Sequence, residues 1–231
     1  MRFLKKSVII TAAVYAVLFG LLVFTALYSS GNYALTSVVF IILMLIPFFV
    51  SFEKRRPQAR ELVPIAALSA TAALGRVIFA AFPNVKPTSA IVIITGAAFG
   101  SQAGFVTGAT AALASNIFFG QGPFTPWQMF AWGIMGAFAG IFKKSFKNTA
   151  LICVYGFFSA FIYGWIMDLW QVLGFVNPIN LKSFFLTFAA SFYFDLTHAV
   201  STVVFLFLLA KPWLKILNRV KTKYGLMKTG G

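Results

Sequence analysis

Acidic side chains are scarce in this chain: four Asp and Glu residues stand against 19 Lys and Arg within 231 residues. So few carboxylates cannot build the mixed-charge surface of a soluble domain. Only 10% of the residues are charged and 60% are hydrophobic, with a mean hydropathy of +0.90. A soluble domain of that composition would expose large apolar patches, so the bilayer is its solvent. The 29 Phe residues fit the same conclusion, since lipid accepts phenylalanine on every face of a helix.

Cysteine and histidine are nearly absent, at one residue each. Lone Cys153 excludes an intrachain disulfide and reads as a small core residue in an apolar run. A lone His leaves no second imidazole from which to build a metal site, so no metal and no covalently bound cofactor are expected. A Gly-x-x-x-x-Gly-Lys-Ser/Thr phosphate loop is also missing, which excludes a Walker-type ATPase within this chain. The net charge of +15 raises nucleic acid as a partner. Its basic residues, however, cluster in loops and tails beside apolar spans, where they read as topology signals and contacts to anionic lipid.

Apolar runs of membrane-spanning length occupy 8–28, 35–52, 61–82, 127–142, 149–171 and 184–210. The first follows Arg2, Lys5 and Lys6, yet it is too long for a secretory signal core and has no small-x-small cleavage site, so it reads as a retained span. Segment 88–119 has no charged residue and is read as two short helices turning near Gly100 to Gly104. That reading puts the clusters at Lys54–Arg60, Lys143–Lys147 and Lys211–Lys228 on the same side as the N-terminus, leaving Lys86 and Lys182 opposite and Arg76 within a span. The expected fold is all-α and polytopic, with about eight transmembrane helices and both termini inside. Two N-terminal helices and a basic loop fill 1–58, a six-helix core fills 59–210, and a basic cytoplasmic tail fills 211–231. Gly96, Gly100, Gly104 and Gly108 recur every four residues, a spacing that lets helix backbones approach.

Polar residues gather at the outward end of this arrangement. The segment Asn116 to Trp132 combines glycines and prolines with Asn116, Gln121, Gln128, Trp127 and Trp132, and is read as a binding loop, more than an aromatic belt requires. Arg76, Asp168, Asp195 and His198 are ionisable groups in or at the ends of apolar spans, which is costly unless they pair or line a hydrated cavity. Arg76 and Asp195 are within reach of pairing along their helices. Asp195 and His198 share one helix face, extended by Ser191 and Thr202, and Asp168 is expected near the aqueous side beside Trp165, Trp170 and Gln171. At the other end, Ala66 with Ala70 and Ser69 with Ala73 form small-x-x-x-small pairs suited to helix contact, within the chain or with a partner subunit.

Pro-Asn-Val-Lys-Pro-Thr at 83–88, Ile-Val-Ile-Ile-Thr-Gly at 91–96, Gly-Phe at 104–105, Ser-Asn at 115–116 and Gly-Gln-Gly-Pro-Phe-Thr-Pro-Trp-Gln-Met at 120–129 resemble the substrate-binding S components of energy-coupling factor (ECF) vitamin transporters, particularly the cobalamin branch. The resemblance covers about 60–210. It implies a non-enzymatic subunit of the bacterial cytoplasmic membrane. Such a subunit captures a vitamin, with cobalamin the transported ligand, and works with a transmembrane T component and two ATPases. It further implies ligand contacts from the 83–87 loop (Asn84, Lys86), from Asn116, Gln121, Trp127, Gln128 and Trp132, and from the outer halves of the later helices (Asp168, Gln171, Tyr193, Asp195, His198), with Arg76 beside them. The small face Ala66, Ser69, Ala70, Ala73 is the implied T-component interface. A stand-alone secondary transporter, an S component for a different vitamin or cofactor precursor, and a scaffold protein are the alternatives. An intramembrane aspartyl protease is disfavoured because Asp195 lacks a Gly-x-Gly-Asp context and Asp168 is expected too near the surface.

Overall fold

The computed structural model describes residues 61–146, 148–176 and 180–226, with scattered positions between 13 and 46. The N-terminal spans expected over 8–28 and 35–52, and the basic loop after them, lie largely outside the described residues. Within those residues the chain is helical, without a strand. The helices are α1 (Leu62–Ile78), α2 (Thr88–Phe99), α3 (Ser101–Phe119), α4 (Phe124–Ile141), α5 (Thr149–Phe175) and α6 (Leu181–Lys223), with a 3-10 turn at Phe142–Ser145 after α4.

α2 is the centre of the bundle. Eleven of its twelve residues are buried, and it touches all five other helices. A helix that is apolar all round has no solvent face, which is why 88–99 carries no amphipathic period. Short connections make sequential helices antiparallel neighbours. The 79–87 loop, Gly120–Pro123 and the start of α6 therefore lie at one end of the bundle, while Gly100 and the 3-10 turn, with Lys143 and Lys144, lie at the other.

The break inside 88–119 falls at Gly100, whose φ of 103° is open to glycine and strained for other residues. The glycine series then does what its spacing predicts. A methyl group on Gly104 would run into the Gly136 backbone, and one on Gly108 into the Trp132 backbone, so α3 and α4 pack almost backbone to backbone. The matching row on α4 (Gly133, Gly136, Gly140) completes the seam.

Two boundaries differ from expectation. α4 begins at Phe124, with Pro123 in a helical conformation just before it, so Thr125, Pro126 and Trp127 are helical and the irregular segment shrinks to Gly120–Pro123. The expected tail from 211 begins as helix, because α6 continues through Pro212 to Lys223. α5 and α6 are long and apolar enough to cross a membrane, and their surfaces carry exposed Phe158, Trp165, Phe185, Phe192 and Phe207, compatible with a lipid surround. α6, at about 65 Å, exceeds a hydrocarbon core of about 30 Å, and its last turns carry Lys211, Lys215, Arg219, Lys221 and Lys223.

Candidate functional site

A half-open cavity of about 780 Å3 sits at the end of the bundle where the 79–87 loop meets α4, α5 and α6. Its polar lining comes from five places: Arg76 near the end of α1, Asn84 and Lys86 in the loop, Gln128 on α4, Tyr163, Asp168 and Gln171 on α5, and Thr187, Ser191, Asp195 and His198 on α6. The volume falls in the range of small-molecule sites, and the mixture of aromatic walls with a few convergent polar groups is their usual chemistry.

The loop is pinned at three points. Pro87 packs on the bare backbone of Gly75, where a Cβ would come within 2.6 Å of its ring. Asn84 adopts the left-handed conformation (φ 57°), which asparagine tolerates better than most residues, and its Nδ2 donates to the Phe194 carbonyl at 2.8 Å. The Lys86 amide donates to Ser201 Oγ at 3.0 Å. Lys86 is thereby held over the cavity, and burial together with the neighbouring Arg76 cation lowers its ammonium from 10.5 to about 8.

Arg76, 9% exposed, is positioned by α3: its Nη1 donates to Ser115 Oγ at 2.7 Å and to Asn116 Oδ1 at 2.5 Å. These bonds fix the Asn116 amide, whose Nδ2 donates to Thr125 Oγ1 and to Gln128 Oε1, both at 3.0 Å. Gln128 accepts with its oxygen, so its amide nitrogen is the end left to donate to a ligand. The guanidinium also lies over Phe119 at 4.8 Å and Trp132 at 5.2 Å, while its Nε is buried without a hydrogen-bond partner.

A row of rings leads from Arg76 to His198. Trp132, fully buried, packs on Tyr163 at 4.7 Å, and Tyr163 meets the His198 ring edge-on at 5.0 Å. Trp132 Nε1–H can only donate, and it donates to Ser89 Oγ at 3.0 Å. Ser89 Oγ also shares a hydrogen bond of 2.7 Å with His198 Nε2, in the direction set by the imidazole tautomer. On α6, Ser191 Oγ donates to Asp168 Oδ2 at 2.6 Å and stands 3.4 Å from Asp195 Oδ2. A side chain at Gly164 would collide with the Asp195 carboxylate, so this glycine is what lets the acidic pair settle against α5.

Several expectations need correction. Asp168 is not near the surface: it is 6% exposed and linked to Asp195 through Ser191. The two carboxylates of aspartyl chemistry are thus neighbours, though Tyr193-Phe194-Asp195 still lacks the Gly-x-Gly-Asp context. Arg76 spends Nη1 on Ser115 and Asn116, and no ion pair joins it to Asp195. Trp127 is a core residue packed edge-on against Phe19 at 6.3 Å, and Gln121 is tied to the Leu113 carbonyl. Tyr193, 78% exposed, does not line the cavity. Asn116 and Trp132 stand behind the lining and hold Arg76 and Ser89. Of the small-residue face, Ala66 and Ala70 are exposed, whereas Ala73 is buried and buried Ser69 accepts from Thr110 on α3.

Tyr163, Gly164 and Met167 were missed. Their signal was a helical stripe, 163, 164, 167, 168 and 171, facing the 187, 191, 195 and 198 stripe of α6. Compared with family models, curated proteins and solved structures, the chain matches none.

Proposed function

We propose that this chain is the substrate-capturing S component of an ECF-type vitamin transporter in a bacterial cytoplasmic membrane. It spans the bilayer about eight times with both termini inside, takes its ligand from the outer face, and releases it inward together with a T component and two ATPases. The observation that supports this most is the half-open cavity of about 780 Å3, lined by convergent polar groups, at the end of the bundle opposite the basic turn at Lys143 and Lys144. By the positive-inside rule, the cavity end is then the outer one. A chain with a polar cavity in an otherwise apolar bundle, and without an ATP-binding loop of its own, suits a division of labour in which capture and energy supply are separate.

Cobalamin is the ligand nominated by the resemblance. Its amide-rich periphery suits a wall of hydrogen-bonding side chains, and a half-open cavity lets a ligand larger than the enclosed space protrude outward. A chain purified from cells fed cobalamin should carry the visible absorption bands of a corrinoid. A colourless protein would overturn the cobalamin assignment and direct the search to a different vitamin or cofactor precursor.

A further inference from the structure

The cavity holds two cations and two carboxylates, yet they are not paired with one another. Arg76 is satisfied on one side by the neutral groups of Ser115 and Asn116, and its Nε is buried without a partner. The charge acting most on Lys86 is Arg76, a second cation, and the loop holds Lys86 there through its backbone and through Asn84. Asp168 and Asp195 are engaged with Ser191 on the α5 and α6 side of the same cavity. Two like charges brought together in a partly desolvated corner repel, and such an arrangement is relieved when an anion sits between them.

We infer that Arg76, Lys86 and Gln128 form an anion subsite that takes the carboxylate or phosphate group of the captured solute. This rests on the capture reading above and deepens it by fixing the end of the ligand that enters the basic corner. Arg76 contributes its guanidinium charge and the Nη2 donors not spent on Ser115 and Asn116, Lys86 a point charge, and Gln128 the amide nitrogen left over after its oxygen is bound by Asn116. The Asp168 and Asp195 pair on the same cavity repels a second anionic group, so the solute binds in one orientation.

The test uses the purified full-length chain in detergent at neutral pH, with inorganic phosphate replacing chloride at constant ionic strength. Phosphate at about five times its dissociation constant should raise the melting temperature by about 2–4 °C. The rise should disappear in K86Q and survive in K182Q. Because variants can alter folding, a second readout uses the wild-type protein: phosphate should slow acetylation of Lys86 by acetic anhydride, followed by mass spectrometry, and leave Lys182 unchanged. Equal melting in phosphate and chloride, an undiminished rise in K86Q, or equal acetylation of both lysines would overturn the subsite. Protection by phosphatidylglycerol but not by inorganic phosphate would also overturn it, by making the anion a lipid headgroup. The two readings fail separately. Vitamin binding that K86Q leaves intact, without any phosphate effect, removes the subsite alone, whereas a phosphate effect in a chain that takes up no vitamin removes the capture reading alone.

Discussion

Lys86 shows how a single residue is set by its surroundings. Its ammonium falls from 10.5 to about 8 because burial removes water and Arg76 adds a like charge. The unfolded chain therefore binds more protons than the folded one between these values, and ligand-free stability should rise with pH through that window. Arg76, Tyr163, Asp168, Asp195 and His198 line the same cavity, so the contribution of Lys86 is isolated by difference. Melting curves of wild type and K86Q from pH 8 to 10.5 should show the wild type gaining on the variant as pH rises; parallel curves would contradict the assignment. Among single residues, the ionisable ones were the legible ones: a charge in an apolar span announces itself. Their pairings were not: Asn116 and Ser191 stood out as polar, but their bonds to Arg76 and Asp168 form only where the helices cross.

At the scale of the element, the break at Gly100 and the α3 seam were legible because charge placement and glycine spacing act locally. The answering row Gly133, Gly136 and Gly140 on α4 needed the tertiary structure to acquire a meaning. The Asn116–Trp132 segment misled in the opposite direction: glycines and prolines that read as a loop instead end α3 at Gly120 and start α4 beside Pro123. α1 carries the element-level prediction. Ala66 and Ala70 are exposed together with Val63 and Leu74, so a bulky group at position 70 meets no neighbour among the described residues. Ala70→Trp should leave ligand affinity unchanged. A clash of about 2 kcal/mol at a subunit contact lowers association about 30-fold, so uptake by the assembled transporter should fall by that order. Normal uptake by this variant, measured in cells that contain the T component and ATPases, would show that the contact lies on a different face.

For the whole molecule, the all-helical class followed from composition, while the cavity did not: its lining comes from four helices and a loop, and no span of sequence contains it. Its location at one end of the bundle, opposite a basic turn and a long helix that ends in lysines, is what makes capture on one side and handover on the other physically coherent. The central claim is that this chain captures its ligand but depends on partner subunits for energy. The most direct measurement is uptake of radiolabelled cobalamin by cells expressing the chain with and without the T component and the two ATPases. Accumulation only with the complete set is the predicted result. Full accumulation by the chain alone would contradict the account and identify a self-sufficient carrier.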